Sequence, residues 1–116
     1  MKRLTNICLF TLVAGLASGV HAAGDAAAGQ ALASERCQAC HGADGNSTDP
    51  QYPRLAGQYA DYMVRALTDY KSGARNNAIM SGFAAGLSEQ DMENVAAWFA
   101  SQTGVVTPTG SQKFAR

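Results

Sequence analysis

Cys37-Gln38-Ala39-Cys40-His41 is the stretch on which the reading of this chain turns. Cys-x-x-Cys-His is the attachment pattern of c-type haem, and chemistry explains the spacing. On one turn of helix, Cys37 and Cys40 can each add a thiol to a vinyl group of the porphyrin. The residue after the second thiol then brings an imidazole over the iron. Three other uses of the motif fit less well. A structural zinc site wants four Cys/His ligands, and this part of the chain offers three. A thioredoxin-type redox pair wants a preceding buried strand, whereas residues 24–36 are Ala-rich and helical in character. A disulfide between the two cysteines would close a strained short loop.

The remaining Cys and His residues lie upstream, in a segment with a different purpose. Met1-Lys2-Arg3 is a basic head, Ile7–Ala17 is uncharged and apolar, and Val20 and Ala22 fit the small-residue rule of a signal-peptidase site. Residues 1–22 therefore read as a signal peptide. The alternative is an uncleaved anchor, but a spanning helix wants roughly 20 apolar residues. Cys8 precedes the apolar run, so it does not make a lipobox. Cleavage would remove Cys8 and His21, leaving Cys37, Cys40 and His41 as the entire Cys/His set.

Composition narrows the rest. The 116 residues suffice for one small domain. Nine basic against nine acidic residues leave no footprint for nucleic acid or an anionic membrane. An apolar content of 47% is too high for a disordered chain.

Outward from the motif the chain reads as helices. Gly24-Asp25 supplies a cap for an Ala-rich helix over 26–36, and Gly29 within it points to close approach by another helix. Residues 42–57 read as loop, punctuated by Gly42, Gly45, Asp49-Pro50 and Pro53. Tyr59, Tyr62, Met63, Ala66, Leu67 and Tyr70 recur with helical spacing, and Gly73 closes that helix. Residues 74–86 read as a second loop. Ser88 with Asp91 opens a last helix as a form of capping box. Met92, Val95, Ala96 and Phe99 line one face of that helix, with Trp98 on its flank, and Gly104 is expected to end it. Residues 105–116 read as a loose tail. No strand pattern is convincing.

Three methionines follow residue 22. Met63 and Met92 sit on apolar helical stripes and have a sufficient core explanation. Met80, in Ile79-Met80-Ser81-Gly82, lies in the expected loop where no stripe needs it. A loop can reach the haem face opposite His41, so Met80 is the candidate sixth ligand. Lys71, Arg75, Asn76 and Asn77 lie beside that loop. They can bond haem propionates or form a solvated helix end.

The ordered set Gly24-Asp25-Ala26-Ala27-Ala28-Gly29, Cys37–Ser47, Pro53-Arg54-Leu55-Ala56-Gly57-Gln58 and Leu87-Ser88-Glu89-Gln90-Asp91-Met92 resembles the class I c-type cytochromes, most of all the c4/c553 group of bacterial periplasmic cytochromes. The c4 proteins carry two haem domains in tandem. This sequence has one attachment motif and is similar to one c4 half, so two-haem behaviour is not carried over. The resemblance implies an all-α cytochrome c-like domain over 23–104, its helices wrapped around one haem c held through Cys37 and Cys40. It also implies a crossing of the first and last helices near Gly29 and Trp98. Pro53 is then expected to offer its carbonyl to His41, and Leu55 to pack against haem. A methionine shortly before the Leu87-Ser88 helix start is the usual distal ligand in such proteins, in agreement with Met80.

The implied function is periplasmic electron transport rather than enzymatic conversion of a substrate. His41 and Met80 would be the iron ligands, and a bc1-type donor and a terminal oxidase or reductase the partners of a monomeric protein. The competing readings are an open-site haem protein binding a gas or peroxide, and a haem subunit of a larger dehydrogenase.

Overall fold

Asp25 starts the first helix. Its carboxylate accepts hydrogen bonds from the amides of Ala27 at 2.8 Å and Ala28 at 3.2 Å, which satisfies donors that a helix start leaves without partners. The Ala-rich run that follows is α1, Ala26–Arg36. A single turn, α2, covers Gln38–His41. The amphipathic stripe is α3, Ala60–Ser72, stopped by Gly73 in the left-handed conformation. Two more helices follow, α4 over Ala78–Ala85 and α5 over Glu89–Ser101. The computed structural model describes residues 23–104, and among these there is no strand. The expected signal peptide, 1–22, and tail, 105–116, lie outside the described residues.

Two expectations are corrected. Residues 74–86 are not a loop throughout, since α4 occupies most of the stretch. Asn77, read as a propionate partner or part of a solvated helix end, is an N-cap whose side chain accepts from the Met80 amide at 3.0 Å. The helix is too short, and too interrupted by Ser81 and Gly82, to show a periodic stripe. Gly104 does not end α5 either, because the helix finishes at Ser101 with Gln102 as its C-cap. Gly104 is instead in close contact with another loop, where a Cβ would come within 2.4 Å of the Ala56 carbonyl oxygen.

α1 and α5 form the most extensive helix pair, with α3 packed on α5 and α4 on α3. The crossing depends on Gly29. A Cβ there would lie 1.9 Å from the Asn94 carbonyl oxygen and 3.0 Å from the Trp98 Cβ, so any side chain would force the helices apart. Asn94 also ties the two starts together, since its Oδ1 accepts from the Asp25 amide at 2.8 Å. Behind the crossing, Ala33, Met63, Val95, Ala96 and Phe99 form the core. Phe99 is fully buried, a contribution of about 1.5–3 kcal/mol for a side chain of this kind.

The loop between α2 and α3 is fastened rather than free. The Gly45 carbonyl accepts from the amides of Leu55 at 2.8 Å and Ala56 at 3.2 Å, and the Gly57 amide donates to Phe99 O at 2.9 Å. Trp98 Nε1 donates to the Ala43 carbonyl, and Asn46 Nδ2 donates to that of Thr103. Gly45 has φ of +79°, and a Cβ on it would approach Phe99 Cδ1 to 2.7 Å. The sharp return of this loop therefore requires glycine on both counts.

Candidate haem centre

The core is shared with a cleft of about 360 Å³. The stripe of α3 turns out to be one wall of it: Tyr62, Met63, Ala66, Leu67 and Tyr70 all line the cleft. Tyr59 does not. It is the N-cap of α3, and it is exposed, as is Tyr62 at the rim. Val95 and Phe99 supply the floor from α5. The opposite rim comes from α4, through Ile79, Met80 and Phe83.

Cys37, Cys40 and His41 reach the cleft together because α2 places the thiols and the imidazole on one side of a single turn. The thiols are not bonded to one another. Burial pushes the Cys37 thiol above its ordinary pKa, with the neighbouring Arg36 opposing the shift. His41 is buried, and its Nδ1 lies 2.8 Å from the Pro53 carbonyl oxygen. A carbonyl oxygen only accepts, so Nδ1 carries the proton and Nε2 keeps its lone pair for a metal. The Tyr52 ring stands edge-on to the imidazole, 6.4 Å between centroids at 64°.

Pro53 and Leu55 both line the cleft, and Leu55 also packs against the core cluster. All six candidates read from the sequence, Cys37, Cys40, His41, Pro53, Leu55 and Met80, thus border one space. Met63 borders it too, a contact that its stripe position did not separate from core packing. Met92 does not, and it is buried with the Thr68 hydroxyl 3.7 Å from its sulfur.

Sequence reasoning missed Tyr52, whose place in a loop carries no periodic signal. It also left Arg75 open. Arg75 lines the cleft, donates from Nη1 to the Tyr62 hydroxyl, and lies over the Tyr70 ring. The Tyr62 hydrogen bond raises its already high pKa further. Among the described residues, Arg36 and Arg54 are the other cations at the cleft, and no carboxylate side chain lines it.

These features suit haem c. Apolar and aromatic walls accept a flat macrocycle, two thiols stand ready for its vinyl groups, an imidazole is held with Nε2 available, and the positive charge of the cleft suits a group that brings two carboxylates. Cofactor and walls together complete a core that a domain of this size is hard pressed to build from side chains alone.

Comparison with known proteins agrees. The cytochrome c family model matches residues 26–103. Cytochrome c4 of Pseudomonas aeruginosa is 51% identical over 102 residues, which is 88% of this chain and 49% of that protein. Cytochrome c-554(548) of Halomonas halodenitrificans is 45% identical over 83 residues, 69% of this chain and 99% of that protein. The crystal structure of reduced recombinant cytochrome c4 from Pseudomonas stutzeri matches with a TM-score of 0.66 at 45% identity, covering 72% of this chain and 48% of that one. The chain thus spans about half the length of the cytochrome c4 relatives it matches. The helical fold, the attachment motif and the family match together make it a member of the cytochrome c family, with haem c held through Cys37 and Cys40.

Proposed function

We propose that the domain, taken as residues 23–104, carries single electrons between redox proteins of the periplasm, with His41 and Met80 as the axial ligands of its iron. Haem c supplies a metal that gains or loses one electron. The observation that carries the reading is the ligand arrangement along one cleft: an imidazole oriented by the Pro53 carbonyl, and a thioether on a rim helix that the core does not need.

The residues act by holding still. The hydrogen bond from His41 Nδ1 to Pro53 fixes the ring and increases its basicity toward iron. Leu55, Phe99 and Val95 exclude water from the buried side of the cleft. Met80 is oriented by α4, which begins on the Asn77 cap. A His/Met pair raises the potential. Were His41 and Met80 both to bind the iron, no coordination site would remain open for a substrate, which makes this a carrier rather than an enzyme. Met80 is favoured over Met63 because Met63 is packed among Ala33, Val95, Ala96 and Phe99. The donor and acceptor in this reading are membrane or periplasmic redox proteins. Residues 1–22 act as the export signal, so N-terminal sequencing of the periplasmic protein should start at Ala23.

Met80→Ala tests the assignment. The ferric protein should lose its far-red sulfur-to-iron band, fall in potential and bind cyanide or, when reduced, carbon monoxide. Met63→Leu should keep the band. Persistence of the band in Met80→Ala, with its loss in Met63→Leu, would refute Met80 as ligand. Strong binding of small ligands by the unmodified protein would favour the open-site reading instead.

A further inference from the structure

Arg75 stands where α3 gives way to α4, and three contacts hold it. Its amide donates to the Asp69 carbonyl at 3.0 Å. Its Nη1 donates to the Tyr62 hydroxyl at 3.4 Å, and its guanidinium carbon lies 4.8 Å from the centroid of the Tyr70 ring. Arg75 is exposed, yet its guanidinium is not left to wander, and holding it costs rotamer freedom worth up to about 2 kcal/mol. Here two tyrosines from one face of α3 converge on one guanidinium, and all three side chains border the haem cleft. The nearby carboxylate of Asp69 is paired with Arg65. The Tyr62 contact uses one of five guanidinium N–H donors.

The other two cations at the cleft are less suited to receive an anion there. The Arg36 guanidinium reaches toward Gly86 at the end of α4, and its Nε is paired with the Glu35 carboxylate at 3.8 Å. Arg54 donates from Nε to the Ser47 carbonyl at 3.1 Å, which fastens it to the loop between α2 and α3 rather than to the segment that leads into the Met80 helix.

Resting on the haem-carrier reading above, we propose that Arg75, braced by Tyr62 and Tyr70, is a haem-binding residue whose guanidinium takes a propionate carboxylate. It thereby sets the macrocycle against the helix that bears Met80. A cation held beside a carboxylate favours its ionised form. The anchored propionate therefore stays charged through the neutral pH range, and the midpoint potential stays level there. Without the cation, the carboxylate gains affinity for a proton. Its unpaired charge then favours ferric iron at high pH, and protonation relieves this as the pH falls.

The test is redox titration of the haem-loaded protein against a reference couple from pH 5 to 9, for Arg75→Gln, Arg75→Lys and Arg54→Gln. Arg75→Gln should shift the equilibrium toward the oxidised form by about three- to tenfold at pH 8, with a rise in potential toward low pH that the unmodified protein lacks. Arg75→Lys restores the charge and should largely restore the level profile. Arg54→Gln should leave it level. An Arg75→Gln profile identical to the unmodified one, or the shift appearing in Arg54→Gln alone, would overturn the proposal.

If Arg75→Gln fails to take up haem, Tyr62→Phe with Tyr70→Leu removes the brace and keeps the cation. That pair should shift the profile in the same direction by less, and an unshifted profile would count against the proposal equally. The far-red band, read in every variant, reports on Met80 ligation separately. Its survival alongside an unchanged profile would sink the Arg75 proposal while leaving the carrier reading intact.

Discussion

The His41 side and the Met80 side of the cleft are built by different means. On the His41 side, α2 and the loop after it are bound into the core. The imidazole bonds the Pro53 carbonyl, Leu55 and Ala56 bond Gly45, Gly57 bonds Phe99, and Trp98 and Asn46 fasten the loop to the end of α5. On the Met80 side, an eight-residue helix lies on α3, begins on one asparagine cap and ends near a carbonyl of Leu87 that Lys71 contacts. Ile79 and Phe83 remain substantially exposed. One side is a scaffold and the other a cover. A ligand held by few cross-links is the one that local opening releases first.

The largest expected effect comes from breaking the scaffold side at its covalent links. Replacing Cys37 and Cys40 together by Ala should abolish covalent haem and cost most of the helical circular dichroism. A domain of this kind has only about 5–15 kcal/mol of net stability, and the cofactor completes its core. Met80→Ala, by contrast, should keep covalent haem and helicity. A stable, helical, haem-free double cysteine variant would erase the contrast between the two sides.

A smaller effect is expected from the cover alone. Asn77→Ala removes the acceptor for the Met80 amide, a loss of about 0.5–2 kcal/mol for an N-cap. On heating, the far-red band should disappear several degrees before the far-ultraviolet dichroism in this variant. Coincident transitions, shifted together, would mean that α4 unfolds only with the whole domain.

The same contrast governs what could be read before the structure. The scaffold side was legible because its chemistry is contiguous: the attachment motif sits in five consecutive residues, and its flanking loop is full of glycine and proline. The long helices were legible from cap and stripe, with Asp25, Ser88 and the run from Tyr62 to Tyr70 in register. The cover was not. α4 makes barely two turns and carries a glycine, and its start signal, Asn77, follows another asparagine that could cap a helix equally well. Nor could a stripe tell protein core from haem wall, since Met63 serves both. The brace on Arg75 depends on α3 ending within reach of the next helix, which no local pattern encodes.

The smallest expected effect concerns acid, and it separates the two sides by one carboxylate each. Asp91 completes the capping box at the turn below α4, and its pKa is held below the ordinary range by the Ser88 amide and hydroxyl. Asp44 lies in the scaffold loop, where the Asn46 side chain and then its amide depress it. A carboxylate lowered in the folded state binds fewer protons than in the unfolded chain, so each contributes stability above its unfolded value near about 3.9. That contribution fades as the pH falls through the lower folded value. Both groups are exposed, and solvent screening keeps each effect small. Asp91→Asn should therefore reduce stability at neutral pH and flatten its decline in acid, with the far-red band already weaker at neutral pH and steadier as the pH falls, because the turn at Leu87 adjoins the Met80 helix. Asp44→Asn should flatten the decline of helicity as well, while its band, with Asp91 still in place, weakens as the pH falls. Acid titrations of the two variants, followed by the band and by helicity in parallel, check this. Identical behaviour of the band in both would show that the Met80 side has no acid-sensitive step of its own.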